Sequence, residues 1–225
     1  MKKLELFLLL LILAGIFALN KKIWKATTSD DVKAVGEVVV VDAGHGGEDP
    51  GKVGADGELE KDINLKIAKK VKKRLEEKGI SVIMTRERDE MLNGKSVDNK
   101  KREDMEERVR LINEAVPHLA VSIHQNSYED SNVSGPQVFY YSESLEGEKM
   151  AVKIQNELHK INENKKRQAK ANDSYYLLRR TEVPTVIVEC GFLSNREEAM
   201  LLVSEDYQNE IANAIVRGIE SCFGN

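Results

Sequence analysis

Two kinds of hydrophobic pattern alternate along the chain. Apolar stretches of five or six residues, bounded by charge or glycine, are typical of buried strands and predict strands at 37–42, 80–85, 119–123, 137–141 and 185–189. Between them, apolar residues recur at helical spacing, as Ile63, Ile67, Val71 and Leu75 do at four-residue steps. This second pattern predicts helices at 62–78, 101–115, 147–161, 196–203 and 207–222.

The order of these elements defines the expected fold class. Strands alternate with helices, which predicts a three-layer α/β domain with a mostly parallel twisted sheet, covered by helices on both faces. In such a sheet the ligand site forms beyond the carboxyl ends of the strands.

The N-terminal segment has a different character. Two lysines precede an apolar run at 6–19, which is shorter than the roughly 20 residues of a membrane-spanning helix. We interpret 1–25 as a secretory signal peptide or, because no Ala-x-Ala site follows, an uncleaved membrane anchor. The alternative, a buried core helix, is disfavoured by the terminal position of the run. Residues 26–36 read as a linker, and 37–225 as the folded domain.

Composition narrows the function classes. The formal net charge is −4, from 34 basic and 38 acidic residues, and aromatic residues make up 5%. The chain therefore lacks the basic excess and the aromatic surface of a nucleic-acid-binding protein. Cys190 and Cys222 are too few for a disulfide scaffold. We interpret both as buried apolar residues, and a bridge between them stays an open alternative.

Polar side chains follow three of the predicted strands. His45 lies just after the first strand, His124 and Asn126 follow the third, and Glu189 ends the fifth. If these strands are parallel neighbours, two histidines and at least one carboxylate meet at one edge, which suits zinc. A capping or surface role for Glu189 remains open on the pattern alone. The other two histidines, 118 and 159, are interpreted as structural or solvated.

Glu60 is the expected third ligand. It precedes the first helix, where a carboxylate lies in the favourable field of the helix N-terminus. Two histidines and one glutamate leave a fourth tetrahedral position open, which is typical of a catalytic rather than a structural zinc site.

Five stretches of the chain together carry a family resemblance. The chain resembles the zinc-dependent N-acetylmuramoyl-L-alanine amidases with an AmiC-like catalytic domain. The matching stretches occur in family order between about 38 and 223: VVVDAGHGGEDPG, ELEKDINLKIA, MTRERD, AVSIHQNS and TVIVECGFLSN.

The resemblance implies a zinc-dependent hydrolase that cleaves the amide bond between N-acetylmuramic acid and L-alanine in peptidoglycan. It implies one zinc ion held by His45, Glu60 and His124, with Glu189 catalytic. Two alternatives stay open: a different zinc hydrolase such as a peptidase, which would cleave ordinary peptide bonds, and a non-catalytic wall-binding module.

Four further residues within the matching stretches have less certain roles. Arg86 and Asn126 are expected to bind carboxylates or sugar of the substrate. Asp42 either orients a zinc histidine or has a purely structural role. Gln125 stands where the family usually has a small residue, which is expected to alter substrate contacts and leave the ligands intact.

A narrower resemblance links the chain to the germination-specific amidases of spore-forming bacteria. It implies action on spore cortex, where peptide removal precedes formation of muramic-δ-lactam. The expected location is outside the cytoplasm or anchored to the membrane, with the forespore intermembrane space as one candidate.

Regulation is expected to act in trans. Some relatives carry an inhibitory helix after the second zinc histidine, and the segment 127–134 is too short to hold one. We also expect no separate wall-binding module. Targeting to the wall is then expected to depend on the N-terminal segment, the catalytic domain or a partner protein. Restraint of the activity is expected to come from a partner protein, the timing of expression or the structure of the substrate.

Overall fold

The computed structural model describes residues 36–92, 99–161 and 167–224. The expected signal or anchor at 1–25, and the linker up to residue 35, lie outside the described residues. Within the described part, none of the helices combines the length and the hydrophobicity that crossing a bilayer requires.

Six strands and six helices make up the described residues. The strands are Val38–Ala43 (β1), Ser81–Met84 (β2), Leu119–Asn126 (β3), Gln137–Tyr140 (β4), Lys170–Ala171 (β5) and Thr185–Phe192 (β6). The helices are Glu60–Glu76 (α1), Lys100–Ala115 (α2), Leu145–His159 (α3), Tyr176–Arg180 (α4), Arg196–Val203 (α5) and Glu205–Phe223 (α6). All predicted elements are present, with ends shifted by a few residues. The sequence analysis missed β5 and α4, because two and five residues are too short to show a period.

The sheet has the order β2-β1-β3-β6-β4-β5. Strands β2, β1, β3 and β6 are mutually parallel, whereas β4 runs antiparallel to β6 and parallel to β5. The expectation of a mostly parallel sheet is confirmed. The direction of β4 follows from its short connection to β3, since a parallel return would need a crossover of a dozen or more residues.

The two faces of the sheet bury different side chains. On one face Val39, Val121 and Val188 belong to a large apolar core shared with α1, α3 and α6. On the other face Val40 and Ile187 belong to a smaller core shared with α2 and α4. Because alternate residues of a strand point to opposite faces, polar residues in register with this second set lie on the α2 side.

A buried polar network lies on the α2 face of the sheet, at the end of β1. The Asp42 carboxylate accepts hydrogen bonds from Arg108 Nη1 at 2.5 Å, from Thr85 Oγ1 at 2.6 Å and from the Ser122 hydroxyl. Burial acts to raise the pKa of Asp42, but the Arg108 charge and the hydroxyl groups outweigh it and lower the pKa to about 2. No hydrogen bond joins Asp42 to a histidine in the described residues. Of its two expected roles, the structural one matches the contacts.

Arg108 continues this network into the following loop. Its Nε donates to Asp104 Oδ2 at 2.7 Å on the same helix. Its Nη1 and Nη2 donate at 2.7 Å to the carbonyl oxygens of Ala43 and His45. One guanidinium on α2 therefore fixes both the last residue of β1 and the backbone of the first histidine.

Replacing Arg108 with Met should strongly destabilise the fold. The change leaves the buried Asp42 carboxylate without its cation, and breaking a buried pair from one side costs about 3–5 kcal/mol. Urea denaturation of the purified protein measures the free energy of unfolding.

Arg110→Ala is the matched control, because Arg110 lies on the same helix and pairs with Glu107 and Glu114 at the exposed surface. We expect this control to unfold at nearly the wild-type urea concentration. Equal unfolding midpoints for both variants would show that the buried pair does not stabilise the fold.

Candidate metal centre

His45, Glu60 and His124 meet at the carboxyl edge of the sheet. Their potential ligand atoms all lie within 4.8 Å of one another. Glu60 Oε2 is 3.2 Å from His45 Nε2, and Glu60 Oε1 is 2.9 Å from His124 Nδ1. His45 lies in the loop after β1, Glu60 begins α1, and His124 lies within β3. The structure thus brings together the three residues that the sequence singled out as ligands.

Two glycines make this close approach feasible. A Cβ atom on Gly44 would lie 2.2 Å from the imidazole ring of His124. Gly51 has a φ of +70°, and a Cβ there would lie 2.5 Å from Glu60 Oε2. His45 itself has a φ of 61°, a left-handed conformation that is uncommon for a residue other than glycine. The loop therefore stores backbone strain where it presents its imidazole.

Glu60 is almost fully buried, with 2% of its surface exposed. Besides the two histidines, its carboxylate accepts hydrogen bonds from Lys52 N at 2.7 Å and Gln125 N at 3.0 Å. Burial acts to raise the pKa of Glu60, but the hydrogen bonds with His124 and His45 outweigh it and hold the pKa well below its usual range. The carboxylate is therefore fixed in its ionised form.

The side chain of Gln125 lies beneath the cluster. It is buried, and its Nε2 donates to Asn64 Oδ1 at 3.1 Å. Asn64 on α1 in turn donates to the carbonyl oxygen of Gly44 at 3.1 Å. The expectation that Gln125 alters substrate contacts is therefore corrected. Its alternation along β3 points it into the core, where it supports the ligand loop and helix α1.

The structure reveals Asp49 as a partner of His45 that the sequence analysis missed. Asp49 Oδ2 lies 2.7 Å from His45 Nδ1, and Lys101 Nζ lies 2.7 Å from Asp49 Oδ1. Burial acts to lower the pKa of His45, but the bonds to Asp49 and Glu60 outweigh it and raise the pKa to about 9. A carboxylate on Nδ1 leaves Nε2 facing Glu60, which is how metal-binding imidazoles are commonly oriented. Asp49 stands four residues after His45 in a glycine-rich loop, and this spacing was the feature of the sequence that could have identified it.

Glu189 lies beside the cluster on β6, where it is the Cα partner of His124. It is 5% exposed, which excludes a role as a surface charge. Tyr175 Oη donates to Glu189 Oε1 at 3.2 Å, while Oε2 is buried without a hydrogen-bond partner among the described residues. Burial raises the pKa of Glu189, although the nearby His124 acts in the opposite direction. Tyr175 was not identified from sequence.

Arg86 does not have the setting expected of a substrate-binding residue. Its guanidinium is buried and donates to the carbonyl oxygens of Ala43 at 2.8 Å, Gly44 at 3.0 Å, Lys61 at 2.8 Å and Arg88 at 3.1 Å. These contacts use its donors within the protein. We correct the expectation: Arg86 holds the ligand loop against the start of α1.

Asn126 ends β3 at the same edge of the sheet. It is half-buried, and its Oδ1 accepts a hydrogen bond from Ser127 N at 2.8 Å. Its backbone oxygen accepts another from Leu193 N at 2.8 Å, which ties β3 to the end of β6. Contact between its side-chain amide and substrate stays a prediction.

The remaining histidines and the cysteines lie outside the cluster. His118 Nδ1 accepts a hydrogen bond from Val38 N at 3.1 Å, and His159 Nε2 contacts the carbonyl oxygen of Arg167. Their interpretation as structural residues agrees with these contacts. Both cysteines are free, Cys190 fully buried and Cys222 half-buried.

Two cavities adjoin the cluster. The larger, of about 440 Å³, is lined by polar residues around the far side of Asp49, including Glu48, Lys100 and Lys101. The smaller, of about 60 Å³, is mainly apolar and lies against His124; its walls include Met105, Tyr175, Tyr176, Leu177 and Ile187. The smaller cavity offers an apolar space next to the cluster.

The α/β sheet thus carries a possible metal-binding cluster of two histidines and one carboxylate at its carboxyl edge. A family model described as N-acetylmuramoyl-L-alanine amidase matches residues 39–221. The chain therefore belongs to the N-acetylmuramoyl-L-alanine amidase family, and the resemblance noted from its motifs is confirmed.

Individual relatives agree with this assignment. The chain is 40% identical over 220 residues to a germination-specific N-acetylmuramoyl-L-alanine amidase of Bacillus subtilis, covering 96% of this chain and 91% of that protein. It is similar to the CwlD amidase of Clostridioides difficile, solved in complex with the GerS lipoprotein, with 38% identity and a TM-score of 0.80 over 83% of this chain and 98% of that one. The amidase AmiC2 of Nostoc punctiforme matches with 33% identity and a TM-score of 0.73, over 82% and 96% of the two chains.

Replacing Asp49 with Asn should weaken zinc binding by about 10- to 100-fold, because the partner that orients His45 loses its charge. Competition with a chromophoric chelator measures the affinity. His124→Ala, which removes a ligand outright, gives the lower limit in the same assay.

Asp56→Asn is the matched control, since Asp56 pairs only with the exposed Arg196 in the described residues. This control should bind zinc as the wild type does. An unchanged affinity in Asp49→Asn would show that Asp49 does not position the histidine.

Proposed function

We propose that the domain at 37–225 is a zinc-dependent amidase that hydrolyses the bond between N-acetylmuramic acid and L-alanine in peptidoglycan, with spore cortex as its substrate. One observation carries the proposal: Glu189, with a buried and unpartnered carboxylate oxygen, lies beside the His45, Glu60 and His124 cluster. The likeness to the germination-specific amidase of Bacillus subtilis supports the choice of cortex.

The donor set of the cluster fits zinc. Two imidazole nitrogens and one carboxylate face one another, and these are the ligands that catalytic zinc sites use. Within the described residues, the only ionic partners of the buried Glu60 carboxylate are His45 and His124. A cation at this place would satisfy a negative charge that no lysine or arginine of the described chain reaches. Three protein ligands leave room for water and substrate.

A bound zinc supplies Lewis-acid polarisation of the scissile carbonyl and makes a neighbouring water more acidic. Glu189 accepts a proton from the attacking water at its free Oε2 while the water oxygen bonds to the carbonyl carbon. It then delivers this proton to the alanine nitrogen as the C–N bond breaks. Tyr175 holds the other oxygen, Oε1, and thereby fixes the orientation of the carboxylate. The burial that raises the pKa of Glu189 favours its proton-carrying form during transfer.

The small apolar cavity supports the identity of the substrate. It lies against His124 and Tyr175 and is lined mainly by apolar side chains. The lactyl group and the alanine on the two sides of the scissile amide each carry one methyl group. An apolar cavity next to the cluster suits a methyl group of this kind.

Glu189→Gln should retain zinc and lose hydrolysis by about 10²- to 10⁴-fold, because Gln has nearly the same size and cannot carry the proton. Mass spectrometry of digested peptidoglycan measures the reaction and identifies the bond cut. A chelator should abolish cleavage by the wild-type protein, and added zinc should restore it.

Glu182→Gln is the matched control, since Glu182 is exposed and precedes β6 at the opposite end of the strand. Activity of Glu189→Gln within a few-fold of wild type would remove Glu189 as the base. Cleavage of ordinary peptide bonds would favour a zinc peptidase, and binding of the wall without any cleavage would favour a wall-binding module.

We also propose that the domain works outside the cytoplasm. The lysines and apolar run at the N-terminus support export, as does a substrate found only there. A fusion of residues 1–36 to a reporter that is active only after export should give signal. A silent reporter, with the fusion protein present in the cytosol, would contradict export.

We further propose that a partner protein controls the activity. The described segment 127–136, between β3 and β4, contains turns and no helix, so no inhibitory helix lies there. The similar CwlD amidase was solved in complex with a lipoprotein, which supports a regulator of that kind. The isolated zinc-loaded protein should digest cortex more slowly than the protein in cell extract. Equal rates would contradict the need for a partner.

A further inference from the structure

Arg167 holds its positive charge in a fixed position, and no acidic side chain of the described residues pairs with it. Its Nε donates to the carbonyl oxygen of Ser134 at 2.9 Å, and its Nη1 donates to Gln137 Oε1 at 3.1 Å. Its Cζ lies 4.8 Å from the centre of the Phe192 ring, a cation–π contact. The side chain is half-buried, and within 36–92, 99–161 and 167–224 it forms no ion pair and its Nη2 has no hydrogen-bond partner.

These contacts place Arg167 at the edge of the sheet that carries the cluster. Gln137 begins β4 and is the Cα partner of Glu189 on β6. Directly opposed residues of an antiparallel pair project to the same face, so Gln137 lies beside the catalytic carboxylate. Phe192 ends β6 and is the Cα partner of Asn126. The guanidinium thus contacts Gln137, which opposes Glu189 across the sheet, and Phe192, which follows Glu189 by three residues on β6.

Several other cations around the site are already paired. All three nitrogens of the Arg86 guanidinium donate to backbone carbonyl oxygens, and Lys101 pairs with Asp49. Lys61 pairs with Asp89, and Lys100 with Glu48. Arg167 therefore differs from them in offering a positioned charge to an anion from outside the described chain.

We propose that Arg167 binds a free carboxylate of the peptide stem of the substrate, an inference that rests on the proposed function. In the substrate, the carboxyl group of muramic acid is consumed in the scissile amide, so the free carboxylates lie in the peptide. A planar guanidinium matches a carboxylate through parallel N–H donors. The peptide then extends over the β4 side of Glu189, and the sugar strand lies on the other side of the cluster.

The test uses two soluble muropeptides that differ only in the peptide stem. One carries free carboxylic acid groups there, and the other carries carboxamide groups at the same positions. The wild-type zinc-loaded chain should cleave the acid with a kcat/KM about tenfold higher, as expected for one charge-assisted contact. Arg167→Gln should bring this ratio to about one. Arg217→Ala, which removes a charge that pairs with Glu157 on α3, should leave the ratio at the wild-type value.

Each outcome decides the assignment. A ratio that falls only in Arg167→Gln supports it. The assignment is overturned if wild type and Arg167→Gln show the same ratio of kcat/KM between the acid and the amide substrate. It is also overturned if Arg167→Gln loses kcat/KM equally on both substrates, because that result shows a structural role alone. A wild-type enzyme that cleaves the acid and the amide equally well also overturns it while leaving the amidase reaction intact. A wild type that cleaves neither overturns the proposed function, and this inference with it.

Discussion

The guanidinium of Arg108 is the point at which the sheet, helix α2 and the ligand loop meet. Removing a charge from water costs several kcal/mol, which only full satisfaction of its partners offsets. Arg108 achieves this with two carboxylates and two backbone carbonyl groups, one of them belonging to His45. Because so many partners must be satisfied together, the network has one favourable arrangement. That arrangement sets where the His45 backbone lies, and so where its imidazole can reach.

Stability and chemistry are divided between the two faces of one sheet. The face toward α1, α3 and α6 is apolar and supplies most of the core. The face toward α2 becomes polar near the carboxyl edge, where Asp42, Ser122, His124 and Glu189 occupy alternate strand positions. A strand can therefore bury valine on one side and hold a ligand on the other. The odd–even alternation of the strands is what concentrates the chemistry on one face.

Local patterns were sufficient to predict the layers and to single out three residues that the structure brings together. Runs of valine and isoleucine mark the parallel strands, and His45, Glu60 and His124 lie close to a strand end or a helix start. The roles of residues that depend on distant partners were harder to predict from the sequence. Arg86 was expected to bind substrate, yet three of the four carbonyl groups that it satisfies come from 20 or more residues away. Tyr175 and Arg167 lie in segments without periodicity, so only the folded chain shows what they touch.

The three proposed ligands come from widely separated parts of the chain. His45 and Glu60 flank a glycine-rich loop, and His124 follows only after two helices and a strand. An unfolded chain cannot gather them, so a cation held by all three binds the folded state alone. At a hundredfold excess over its dissociation constant, such a ligand adds about 2.7 kcal/mol to the free energy of unfolding. If the cluster binds an ion as proposed, the supply of that ion affects the stability of the folded enzyme as well as its turnover.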